Sequence, residues 1–135
     1  MSQPVNILVV DDDASIRQLL VAMLVVEGYA VHAVADGVAA LESVESARPD
    51  CIVLDVMMPG IDGHDVLAQV RSQPVYADIP VVMLSAAAED GHAWRAWSEG
   101  VDYFLAKPFA PEQLLRYLDY LFAAVPAWKA PAGCP

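Results

Sequence analysis

Apolar segments of two different periods alternate along the chain, and this alternation restricts the fold more than any other feature. Val5 to Val10 is a β-branched run too short for a helix. It stops at Asp11, Asp12 and Asp13, so it reads as a buried strand. Ile16, Leu19, Leu20, Met23 and Leu24 then recur at helical spacing, with Gly28 as the C-terminal stop. The pair of patterns then repeats. Further strands are expected at Tyr29–Val34, Cys51–Asp55, Pro80–Leu84 and Asp102–Ala106. Further helices are expected at Val38–Ala47, about His64–Ser72, Glu89–Glu99 and Pro111–Ala124.

Five strand–helix units in strict alternation imply an α/β fold with a parallel sheet. Right-handed crossovers leave few topologies, and helices on both faces imply a flavodoxin-like, doubly wound, five-stranded sheet with five helices. The strand order of such a sheet is 2-1-3-4-5. At 135 residues the chain is expected to be one domain, residues 1–125, without room for a separate output domain. Residues 126–135 hold three prolines and are expected to form an irregular tail.

Hydrophobic residues make up 57% of the chain, which excludes a disordered protein despite a net charge of -11. Eighteen acids against seven bases argue against direct nucleic-acid or anionic-membrane binding, which needs clustered Lys and Arg. The longest apolar run, Leu19 to Val26, is too short to span a bilayer, and no secretory signal opens the chain. Cys51 and Cys134 form neither a disulfide framework nor a metal spacing. A small cytoplasmic domain is expected.

In open parallel sheets the ligand site lies beyond the C-terminal ends of the strands. The residues expected there are Asp11 and Asp12 after the first strand, Asp55 after the third, Ser85 after the fourth and Lys107 after the fifth. Two like unit charges 4 Å apart repel by about 4 kcal/mol at an effective dielectric of 20, so such a carboxylate cluster needs a cation or raised pKa values. Oxygen donors without neighbouring Cys or His favour a hard ion, Mg²⁺ before Zn²⁺. Lys107 is one of only two lysines in the chain.

Val9-Val-Asp-Asp12, Leu54-Asp-Val-Met-Met-Pro-Gly-Ile-Asp-Gly63, Ser85-Ala86 and Lys107-Pro-Phe109 together resemble the receiver domain of two-component response regulators, the CheY-like family. The resemblance runs from about Val5 to Val125. It implies that Asp55 is the phosphoacceptor, and that Asp12, Asp55 and the Met57 backbone carbonyl bind Mg²⁺. It implies that Asp11 holds metal-bound water, that Ser85 and Lys107 bind the phosphoryl oxygens, and that Phe104 is the switch aromatic. The Lys107–Pro108 peptide is cis in that family. The implied partners are a histidine kinase or histidine phosphotransfer protein, and a target protein at the face of the fourth helix, fifth strand and fifth helix. A phosphorylation-dependent homodimer is a further implied partner. The implied role is a phosphorylation switch, not an enzyme.

Plainer readings stand beside these. Asp13 is expected to cap the first helix rather than to bind metal. His32, His64 and His92 show no metal spacing, and no functional role is expected of them. Trp94 and Trp97 lie three apart, which fits a packed helix face. Trp97, with Tyr103, Tyr117 and Tyr120, is the minority candidate for a partner-binding aromatic patch. Tyr103, Tyr117 and Asp119 depart from the charged dimer face of the winged-helix subfamily. Met57 and Ala87 flank the expected site, and neither offers a side-chain hydrogen bond to an attacking water. A long-lived phosphoryl group is therefore expected.

Three competing functions remain. Asp11-x-Asp13-x-Ser15 has the shape of the nucleophile motif of haloacid-dehalogenase-type phosphatases, but it leaves Asp55 and Met57–Gly60 unexplained. The other two are a pseudo-receiver that signals by binding alone and a piece of a longer regulator.

Overall fold

The computed structural model describes residues 4–85, 97 and 99–123. Its strands are β1 (Asn6–Val10), β2 (Ala30–Val34), β3 (Cys51–Asp55), β4 (Val81–Ser85) and β5 (Tyr103–Ala106). The helices between them are α1 (Ala14–Val26), α2 (Gly37–Ala47) and α3 (Gly63–Ser72), and a further helix, Pro111–Leu118, follows β5. All strand pairs are parallel, in the order β2-β1-β3-β4-β5. This is the flavodoxin-like sheet that the alternating pattern implied.

The expected elements lie within a residue or so of those observed. Val5 and Tyr29 precede their strands, and the Val5 carbonyl accepts a hydrogen bond from Ala30 at 2.9 Å. The last helix ends at Leu118 and continues as a π-type turn, Asp119–Ala123. Apart from Trp97, which is helical, and Glu99, which lies in a turn, the expected helix Glu89–Glu99 falls outside the described residues, as does the tail 126–135.

Local chemistry explains where α1 starts and stops. The Asp13 carboxylate accepts hydrogen bonds from the Ser15 and Ile16 amides at 2.9 and 3.2 Å, the cap expected of it. At the other end Gly28 takes φ of +97°, a left-handed conformation that an L side chain resists.

The sheet divides the core into two layers. Ile7, Val9, Val53, Val82 and Leu84 face α1 and the Pro111–Leu118 helix, burying Leu20, Leu24, Leu114 and Leu118. Leu8, Val10, Ile52, Leu54 and Met83 face α2 and α3, burying Val44, Val66, Leu67 and Val70. Alternate residues of one strand thus serve opposite layers, and the central strands are apolar throughout because both faces are covered.

Two polar clamps tie α3 to the segment entering β5. The Arg71 guanidinium donates to the carbonyls of Gly100 (2.8 Å), Ala77 (3.1 Å) and Ile79 (2.8 Å) and to the Asp102 carboxylate (2.8 Å). At the other end of α3, buried His64 pairs through Nδ1 with Glu99 at 2.8 Å. Among the described residues no helix is long and apolar enough to cross a membrane.

Candidate functional site

Strand register assembles the site. Val10 lies opposite Leu54, so Asp11 and Asp55, one residue further along each chain, emerge side by side beyond the sheet. Asp55 lies opposite Leu84 and Ser85 opposite Ala106, which carries Ser85 and then Lys107 to the same rim. The Lys107 amide donates to the Ser85 carbonyl at 2.7 Å and so extends this ladder by one bond. The Lys107–Pro108 peptide is cis, as the resemblance implied.

Asp11, Asp55 and Ser85 are buried, whereas Asp12 is exposed at the mouth. Carboxylate oxygens of Asp11, Asp12 and Asp55 lie within 4.8 Å of one another, close enough to hold a metal ion. The Lys107 ammonium bridges the two buried acids, at 3.2 Å from Asp11 Oδ2 and 3.2 Å from Asp55 Oδ1. Asp11 is fixed further from behind. Its Oδ1 accepts the Asp13 amide at 2.9 Å, and Arg17 Nη1 donates to its carbonyl at 2.7 Å. The Asp11, Asp12 and Asp55 carboxylates form an oxygen-only donor set that fits a hard divalent cation.

Electrostatics matches the geometry. Burial, and then the Asp11 charge, push the Asp55 carboxyl up to about 6, against the opposing pull of Lys107. Burial alone would lower the Lys107 pKa, but the Asp55 and Asp11 carboxylates outweigh it and the net direction is upward. In metal-free protein, a raised carboxyl stabilises the fold fully below the unfolded value near 4, and that contribution is lost as pH rises through about 6. Asp55→Asn is therefore expected to stabilise metal-free protein at pH 7.5 by about 2–3 kcal/mol, and to flatten the pH dependence between 4 and 7. Urea denaturation with a chelator present measures this; unchanged stability at pH 7.5 would contradict it.

The remaining expected site residues lie around this cluster. Met57 stands on the loop after β3 with its side chain exposed. Phe104 lies outside the carboxylate cluster, partly buried against the α2–α3 layer of the core. Ala87, His92 and Trp94 fall outside the described residues. The His64–Glu99 pair and the Arg17 contact to Asp11 were not foreseen. A histidine with its carboxylate 35 positions away forms no local pattern, and only the assembled fold exposes it.

The response regulator receiver domain model matches residues 7–119. The chain belongs to that family. Among curated relatives, response regulator MprA of Mycobacterium sp. (strain KMS) is 45% identical over 118 residues, covering 87% of this chain and 50% of the relative. MprA of Mycobacterium ulcerans is 46% identical over 117 residues, with the same coverage of 87% and 50%. The chain thus spans about half the length of the curated relatives it matches. Among solved structures, Vibrio cholerae chemotaxis protein CheY4 superposes with a TM-score of 0.81 at 36% identity, covering 87% of this chain and 98% of that one. The receiver domain of sensor histidine kinase PA1611 from Pseudomonas aeruginosa does so with a TM-score of 0.81 at 34% identity, covering 87% and 97%. That structure is described with a magnesium ion coordinated in its active-site cleft.

Proposed function

We propose that this receiver domain is a phosphorylation switch of a two-component or phosphorelay system, with Asp55 as phosphoacceptor. The observation that carries the reading is the Lys107 ammonium held at 3.2 Å from both Asp11 and Asp55 at a buried strand-end rim. Asp12, Asp55 and the Met57 carbonyl would hold Mg²⁺, with the Asp11 carboxylate beside them. The ion's contribution is to neutralise charge on the transferring phosphoryl group.

The protein's own groups do the rest. Asp55, ionised at neutral pH in the majority of molecules, attacks phosphorus in line. The Asp55 oxygen–phosphorus bond forms as the donor's phosphorus–nitrogen bond breaks, and a proton passes to the donor imidazole. Lys107 exchanges its Asp55 contact for a phosphoryl oxygen, and the Ser85 hydroxyl donates to another. The product carries roughly two negative charges, which favours the conformer with Ser85 and Lys107 drawn inward.

The donor is a histidine kinase or histidine phosphotransfer protein, and the setting is the cytoplasm. The readout surface is formed by the segment before β5, β5 itself and the Pro111–Leu118 helix. Trp97 is 50% exposed and Tyr120 74% exposed, and the Tyr103 and Tyr117 rings stack at 4.4 Å, which supports an aromatic patch for a target protein or a second copy. The domain is not an enzyme acting on a separate substrate, although it assists its own phosphorylation and dephosphorylation. The phosphatase alternative requires Asp13 as acid and base, and that carboxylate is occupied in capping α1.

Two measurements test the reading. Beryllofluoride with Mg²⁺ is expected to change which proteins the purified domain captures, and an unchanged set would count against a switch. Protein labelled by acetyl phosphate is expected to keep its phosphoryl group for many minutes, because neither Met57 nor Ala87 orients water. Loss within seconds would contradict that part.

A further inference from the structure

A groove separate from the carboxylate site runs between α2 and α3. Its cavity, about 220 Å³, has an apolar floor of Leu41, Val44, Ile61 and Val70. Glu42 and Glu45 line it on the α2 side, and Tyr76 and Gln73 lie towards the end of α3. A second recess of about 390 Å³ shares Val38, Glu42 and Ile61 with the first and extends to Asp36, Pro59 and Gly60. The two recesses adjoin along these shared residues, and the second reaches the loop after β3.

The rim charges are uncompensated. Glu42 and Glu45 are exposed and form no ion pair with a described residue. Helical spacing supplies no partner, because the positions four residues on are Ser46 and Pro49. Arg48, the nearest cation in sequence, has a left-handed backbone (φ 40°) and donates from Nε to the Val75 carbonyl at 3.2 Å, pairing with neither Glu42 nor Glu45. Val38, where the two recesses meet, is 54% exposed. Apolar surface is thus left wet beneath a row of acids.

We propose that this α2–α3 groove docks a basic amphipathic segment of a partner protein. An apolar side chain of the segment fills the cavity, and its Lys or Arg groups lie over Glu42 and Glu45. The charge pattern selects this occupant. A second copy would bring the same acids and a net charge of -11, and phosphate-bearing surfaces are repelled for the same reason. Occupancy would press on Pro59 and Gly60, which connects the groove to the loop carrying Met57. The proposal is independent of phosphorylation.

The test uses the full chain and a labelled helical peptide of about fourteen residues, with leucines on one face and lysines on the other. A matched peptide with glutamates in place of the lysines is the comparison. In fluorescence anisotropy at about 0.1 M salt the lysine peptide binds and the glutamate peptide does not. Glu42→Gln with Glu45→Gln weakens binding about tenfold or more, while Glu27→Gln with Glu112→Gln, the same charge change at exposed sites elsewhere, alters it less than about twofold. Amide chemical shifts move at Leu41, Glu45, Gln69 and Tyr76. Absence of binding, equal losses in the two double variants, or shifts centred on α1 would each overturn the proposal.

Discussion

Asp55→Asn is expected to abolish labelling by acetyl phosphate in the presence of Mg²⁺, down to the background of unreacted protein. An amide oxygen is a far poorer nucleophile than a carboxylate and yields no stable acyl phosphate, so no slower route through residue 55 remains. The substitution keeps shape and volume at a buried position, and Lys107 retains its 3.2 Å contact to Asp11. Loss of label therefore would not reflect unfolding, and the expected gain in metal-free stability provides an internal check on the same sample. Asp13→Asn is the informative companion. Its carboxylate is spent on the Ser15 and Ile16 amides, and asparagine caps a helix about as well, so labelling should persist. A phosphatase using Asp11 and Asp13 would show the reverse pattern. Label that survives Asp55→Asn, or vanishes in Asp13→Asn, would sink the receiver mechanism.

The difference between what could be read from the chain and what could not has a physical origin. β3 is legible in the sequence with its bounds Cys51–Asp55 because a buried central strand is a continuous apolar run ended by a charge. Asp11, Asp12, Asp55 and Lys107 were readable as a group because parallel strands present their C-terminal ends at one edge, and a one-residue stagger then decides which side chains meet. Asp13 was readable because capping is local. The clamps on α3 were not. Arg71 reaches Gly100 and Asp102 across 29 and 31 positions, and His64 reaches Glu99 across 35, so no periodicity announces them. The uncompensated acids above the α2–α3 groove were hidden for a similar reason. Glu42 and Glu45 look like ordinary solvated helix residues until the fold engages the nearest cation, Arg48, with the Val75 carbonyl 27 positions away.

Gly63→Ala is expected to be the most damaging small substitution in the described structure. A methyl group at position 63 would overlap the Asp55 carbonyl oxygen and meet the Val56 Cα at 2.8 Å, and both belong to the backbone. Neither can rotate away as a side-chain terminus could. The close approach arises because the Gly63 amide donates to the Val56 carbonyl at 2.9 Å, seating the first turn of α3 directly on the end of β3. Relief requires α3 to lift or the chain at Asp55 to shift, and overpacking of this kind costs about 3 kcal/mol. Gly28→Ala is the control. A methyl group there meets nothing within 4 Å, so only the φ of +97° is strained, at about 1–2 kcal/mol. Chemical denaturation of both variants should separate the two costs. The site discriminates further. Because the clash bears on the peptide of Asp55, the proposed phosphoacceptor, Gly63→Ala should weaken Mg²⁺ binding and acetyl phosphate labelling even where the protein remains folded, whereas Gly28→Ala should leave both unchanged. Equal stability losses, or full labelling in folded Gly63→Ala, would show that β3 and α3 are not seated as tightly as this geometry requires.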